Sequence, residues 1–181
     1  MNKIPITKVT KLLGKPLKQG IRVLGLDTAS RTGWALLKVT KTHVTIETGY
    51  VMSRHTGEEK YDDLLELFLN LLLTNDIDCV IIEDTYLGFG MRRNPNAFKV
   101  ISRIGMIAYA ISYYCSMSNK FIMATQARAA VGLKGNAKKE EIIKYLNMYL
   151  GLKLDDHDIA DAVVLALNGV IDEEAKEDNT A

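Results

Sequence analysis

Two short runs of the chain are almost wholly apolar and end on an acid: IRVLGLD over residues 21–27 and DCVIIED over residues 78–84. Runs of this length without a polar face predict strands buried on both sides of a sheet. Residues 33–40 (GWALLKVT) and 43–51 (HVTIETGYV) read as two more strands, and the short gap at Lys41 and Thr42 predicts a hairpin between them. In the second of these, Val44, Ile46 and Thr48 alternate with Thr45, Glu47 and Gly49, which suits a half-exposed edge. The period then changes. Over 59–74, Tyr61, Leu64, Leu65, Phe68, Leu71 and Leu72 recur at helical spacing. Gly, Pro and Asn make 85–95 a loop. A long helix follows over about 96–116, then a fifth strand over 119–124 (NKFIMA). Thr125 stands where the cap of a short helix belongs, and helices over 137–150 and about 156–170 complete the pattern. Residues 1–20 show no clear period and read as a basic arm, disordered or strapped onto the surface.

The order is three strands, helix, strand, helix, strand, helices. It predicts an α/β fold: a mixed five-stranded sheet, its first three strands antiparallel, with helices on both faces. The 181 residues fit one domain, taken as residues 21–171 between a basic N-terminal arm (1–20) and an acidic tail (172–181). Cys79 and Cys115 sit inside apolar runs without metal-ligand spacing, as reduced cysteines of a cytoplasmic protein do. No early stretch resembles a signal peptide, and the uncharged run 104–118 is short for a membrane span. The expected setting is the cytoplasm of a bacterium or of a phage-infected host cell.

Charge changes the picture. The net charge of +1 hides separate blocks. Residues 1–22 hold six basic groups and no acid; residues 86–144 hold ten basic groups against two acids; residues 172–181 hold five acids and one lysine. Such segregation points to a face that binds a polyanion.

Against that background the acids stand out. Asp27 ends the first buried strand and Glu83 the second. If the two strands are parallel neighbours, both carboxylates emerge at the same sheet edge, where open α/β sheets bind their ligands. A third source is the late run DDHDIADAVVLAL, where Asp158 and Asp161 share one face of a helix. Ile159, Ala162, Val163 and Ala166 would pack that helix on the sheet. Four carboxylates on one patch repel each other. A hard divalent cation removes the conflict, and Mg²⁺ prefers such oxygen donors. Two ions about 3.5–4 Å apart can activate a water and stabilise a leaving oxygen in phosphodiester cleavage; Mn²⁺ is expected to substitute. His157 lies beside the set, as a phosphate contact, a proton-transfer group or an exposed residue at a helix start. Asp155 and Asp156 read as cap and first-turn residues, and Trp34 as core.

The segment LDTASRTGWA, together with Asp27, Glu83, Asp158 and Asp161, resembles the four-acid pattern of RuvC-type Holliday junction resolvases, within the RNase H-like superfamily. The resemblance spans about residues 21–170. Thr28 and Ala29 replace the Pro-Gly usual in the bacterial housekeeping form, which brings the segment closer to a phage-associated branch. The resemblance implies a homodimeric, metal-dependent, structure-selective endonuclease. Its two acidic sites would nick opposing strands of a four-way DNA junction, in recombination and repair or in phage DNA processing. It implies that the helix 96–116 forms much of the dimer interface. It implies that Arg128 and Lys139 hold DNA near the acids, with Lys99, Arg92, Arg93, Lys134 and Lys138 as less specific phosphate contacts. Tyr86 falls where relatives carry an aromatic wedge that stacks on an opened base, and Phe89 is a second candidate.

Other readings of the same residues stay open. One is a nuclease of this fold acting on flaps or RNA–DNA hybrids. Another is a non-catalytic nucleic-acid-binding module whose acids are structural. A third, an actin-like or sugar-kinase ATPase, fits less well, because the chain is short for two lobes and lacks a second glycine-rich phosphate loop.

Overall fold

The structure is a computed structural model, and it describes residues 1–84 and 95–173. Six strands, β1 (Asn2–Pro5), β2 (Arg22–Asp27), β3 (Arg31–Val39), β4 (His43–Met52), β5 (Cys79–Glu83) and β6 (Ser118–Ile122), form one sheet in the order β1-β4-β3-β2-β5-β6. The pairs β1–β4, β4–β3 and β3–β2 are antiparallel, whereas β2–β5 and β5–β6 are parallel. The mixed sheet with three antiparallel strands ahead of helix-linked parallel ones is the arrangement expected from the pattern. Its strand count is six rather than five.

The sixth strand comes from the segment read as a surface arm. Asn2–Pro5 pairs with residues 43–46 of β4, so β4 is an interior strand and not the sheet edge. Helix α1 (Ile6–Leu13) follows at once, burying Val9 and Leu13. Gly14 ends it with φ 61°, its N–H donating to the Thr10 carbonyl; that left-handed backbone suits glycine. Leu17 is then tied to Ile171 by an isolated antiparallel bridge. The lysines of this segment lie among apolar anchors, which removes it from the class of free basic tails.

Helices cover both faces. One core joins the sheet to α1, α4 (Ala124–Ala130), α5 (Lys139–Leu150) and α6 (His157–Gly169). The other joins it to α2 (Glu59–Leu73) and α3 (Pro95–Tyr114), around Leu24, Leu26, Phe68, Ile82 and Ile104. Alternation along β2 explains the split: Val23 belongs to the first core, Leu24 and Leu26 to the second. Each such side chain, fully buried, contributes about 1.5–3 kcal/mol.

Helix α6 is the central helix, buried at every position from Ala160 to Leu167. Its alanines let it lie close on the sheet. A Cβ at Gly25 of β2 would fall 2.3 Å from the Ala162 carbonyl oxygen, so only glycine fits beneath the helix. The short helix α4 begins at Ala124 with Met123 as its cap residue and no side-chain cap, so Thr125 lies inside it rather than before it. No helix among the described residues is long and apolar enough to cross a membrane.

Candidate active site

Parallel pairing of β2 and β5 fixes the first half of the site. Leu26 pairs with Ile82, so Asp27 and Glu83 follow one step on, side by side at the same sheet edge. Their carboxyl groups hydrogen-bond to each other. Asp27 is only 8% exposed. Burial, the hydrogen bond that protonated Asp27 donates to Glu83, and the charges of Glu83, Asp161 and Asp158 push its pKa up to about 10. Asp27 therefore holds its proton at neutral pH.

The second half arrives on α6. Asp27 stands opposite Gly33 in the β2–β3 ladder. A Cβ at Gly33 would fall 2.3 Å from the Asp158 carbonyl oxygen. The bare strand therefore seats the first turn of α6 beside Asp27. Asp156 is the N-cap, its carboxylate accepting from the Asp158 and Ile159 N–H groups at 3.0 and 3.1 Å. One turn of helix then carries both Asp158 and Asp161 toward the strand ends.

Cations balance these two acids. Arg128 donates to Asp161 Oδ1 at 3.0 Å, a largely buried pair. Lys139 Nζ lies 3.5 Å from Asp158 Oδ1, and Arg31 Nη1 lies 2.8 Å from Asp158 Oδ2. No three His, Cys, Asp or Glu groups among the described residues stand as a finished metal cage; Asp158 and Asp161 each engage a cation. In chemistry the set fits a hard divalent ion: every donor is a carboxylate oxygen, and burial together with acidic neighbours, which raise the Asp27 pKa, leaves that carboxyl group short of positive charge. Asp27, Glu83, Asp158 and Asp161 would hold it.

All four acids line one open cavity of about 590 Å³, together with Arg128, Lys139, Thr28, Asp84, Ile101 and Thr125. Arg128 and Lys139 thus line the same cavity as the acids. Lys99, Lys134 and Lys138 are exposed and do not line it. His157 opens α6 but is not among the lining residues, and its Nδ1 is buried without a partner among the described residues. Tyr86, Phe89, Arg92 and Arg93 lie outside the described residues. Sequence reasoning missed Arg31; its one signal was a basic residue four positions after Asp27.

A family model described as crossover junction endodeoxyribonuclease RuvC matches residues 23–169. Among solved structures, RuvC of T. thermophilus in complex with a Holliday junction substrate is similar to this chain with TM-score 0.63 and 18% identity, covering 81% of this chain and 90% of that one. The Thermus thermophilus RuvC structure matches with TM-score 0.63 and 20% identity, over 83% and 98% of the two chains. The yeast mitochondrial Holliday junction resolvase Ydc2 matches with TM-score 0.60 and 13% identity, over 88% and 81%. No curated protein matches the chain.

Proposed function

The chain belongs to the crossover junction endodeoxyribonuclease RuvC family, and we propose that it resolves four-way DNA junctions by paired nicks at the site built around Asp27. Nucleases of this family depend on divalent metal. In this chain we assign the metal as Mg²⁺, two ions per site, held by Asp27, Glu83, Asp158 and Asp161. The observation that carries the reading is the meeting of these four acids in one cavity with Arg128 and Lys139.

When bound, the metal supplies charge for an attacking water and for the leaving 3′-oxygen. The protein's own residues do the rest. Asp27 releases to solvent the proton that burial holds on it and so becomes a carboxylate donor beside Glu83. The β2–β5 register holds those two carboxylates at fixed separation, and α6 sets the other two against them. Arg128 and Lys139 bring positive charge to the cavity wall, where they take the scissile phosphate and offset the repulsion between DNA and acids. Arg128 has capacity to spare: its Nε–H is buried without a partner among the described residues. Leaving such a donor unpaired costs about 1–3 kcal/mol.

The chemistry is assigned to residues 21–171, with the basic segment 1–20 and the acidic segment 172–181 flanking it. Paired cuts require two sites. We assign them to a homodimer joined through α3, whose outer face leaves Met106, Tyr113 and Tyr114 exposed. Large apolar side chains on one helix face are costly to leave in water, and a twofold dimer is the commonest way to cover them.

Cleavage of an end-labelled immobile four-way junction, with and without Mg²⁺, tests the reading. Symmetric nicks on opposing strands that require the metal support it. Equal cutting of flaps or RNA–DNA hybrids, or single unpaired nicks, would overturn it.

A further inference from the structure

Arg31 opens β3 opposite Met52, and its guanidinium lies 4.1 Å from the ring centre of Tyr50 on β4. From that seat it reaches two acids of the next layer. Nη1 donates to Asp156 Oδ1 at 3.2 Å and to Asp158 Oδ2 at 2.8 Å, and Nη2 donates to Asp156 Oδ2. Asp156 is itself the N-cap of α6. One planar cation therefore ties the sheet to the cap and to the first acid of the helix that carries Asp158 and Asp161.

The two oxygens of Asp158 are used differently. Oδ1 faces Lys139, which lines the cavity; Oδ2 is held by Arg31, which does not. Carboxylates that hold metals are commonly oriented in this way by a hydrogen bond to the oxygen turned from the ion. We propose that Arg31 is a positioning residue for metal binding: its fork fixes the first turn of α6 and the orientation of Asp158, leaving Oδ1 directed at the cavity. This rests on the four-acid reading of the site.

A charge-only role gives the opposite expectation. Arg31 is a cation beside a cation site, so removing it would tighten metal binding by relieving repulsion. A fork that orients gives weaker binding on removal. Lysine separates the two further, because an ammonium keeps the charge but cannot span both acids.

The test is calorimetric titration of the full-length protein with Mn²⁺, without DNA, for wild type, Asp27→Asn, Arg31→Gln, Arg31→Lys and Asp156→Asn. The last keeps an N-cap acceptor while removing one charged partner of Arg31. The expected result is affinity about tenfold weaker or worse in both Arg31 variants and a smaller loss in Asp156→Asn. Junction affinity, read by gel shift without metal, should hold within about twofold, the range of a change that leaves DNA contacts intact. Unchanged or tighter Mn²⁺ binding in Arg31→Gln, or full recovery in Arg31→Lys, overturns the proposal. If Arg31→Gln does not fold, Arg31→Lys and Asp156→Asn decide by the same criteria. Should wild type and Asp27→Asn bind Mn²⁺ alike, the four-acid reading itself has failed, which is a separate result.

Discussion

Asp27 and Gly33 face each other across the β2–β3 ladder, and the missing side chain at Gly33 is what admits the Asp158 turn of α6 to the acid end of β2. Gly33→Ala would place a methyl group 2.3 Å from the Asp158 carbonyl oxygen and 2.4 Å from its carbon. Backbone must shift to accept it, at about 1–3 kcal/mol. The expected outcome is a folded protein with a lowered melting temperature and a cleavage rate reduced at least tenfold. Calorimetric melting and single-turnover cleavage read the two effects.

Asp27→Asn keeps the shape of the site and removes the carboxylate donor assigned to the metal. Junction cleavage should fall by three orders of magnitude or more, the scale expected when a metal site is lost. Junction affinity should stay within about threefold, because the phosphate contacts are assigned to Arg128 and Lys139 rather than to Asp27. Gel-shift titration beside a cleavage time course checks both.

The pH dependence has a definite sign. Folded and metal-free, Asp27 holds its proton to about pH 10; in the unfolded chain it loses it near pH 3.9, roughly. Between those values the folded state binds more protons than the unfolded state, so stability falls as pH rises. The metal-free melting temperature should drop by several degrees between pH 5.5 and 8.5. Asp27→Asn should flatten that slope. Metal uptake must expel the same proton, so Mg²⁺ affinity should climb with pH over the same range and be accompanied by proton release, measurable in buffers of different ionisation enthalpy.

Arg128 pairs with Asp161 and lines the cavity. Arg128→Gln, tested in the Asp27→Asn background to prevent cutting, should weaken junction binding by about 1–3 kcal/mol and reduce the salt slope by about one. An unchanged salt dependence would restrict Arg128 to its pairing with Asp161.

On α3, Tyr114 is 89% exposed and Tyr113 71%. A charge within this face opposes pairing of two copies. Tyr114→Glu should shift the protein to monomer in analytical ultracentrifugation and turn paired nicks into unpaired ones.

Much of this was legible before the fold was known. Buried strands of five or six residues leave few options for a terminal acid, so Asp27 and Glu83 could be placed at one edge once parallel pairing was assumed. The D-x-x-D spacing at Asp158 and Asp161 needs only helical geometry. The first sheet strand was not legible. Asn2–Pro5 is four residues long with a single buried side chain, Ile4, which is below what alternation can signal. Ile6, Val9 and Leu13 do carry helical spacing, but α1 spans only eight residues, and a run of about two turns is hard to separate from chance. Hence β4 was read as the sheet edge. Arg31 was missed for a different reason: its partners Asp156 and Asp158 lie more than 120 residues away, and no local pattern encodes a contact of that separation.

The most direct measurement is anomalous scattering from a crystal of the protein soaked in Mn²⁺. Two peaks about 3.5–4 Å apart, enclosed by the carboxylates of Asp27, Glu83, Asp158 and Asp161, are the expected result. A Mn²⁺-free cavity, with Asp158 and Asp161 still held by Arg31 and Arg128 under saturating metal, would contradict a metal-dependent nuclease centre at this site.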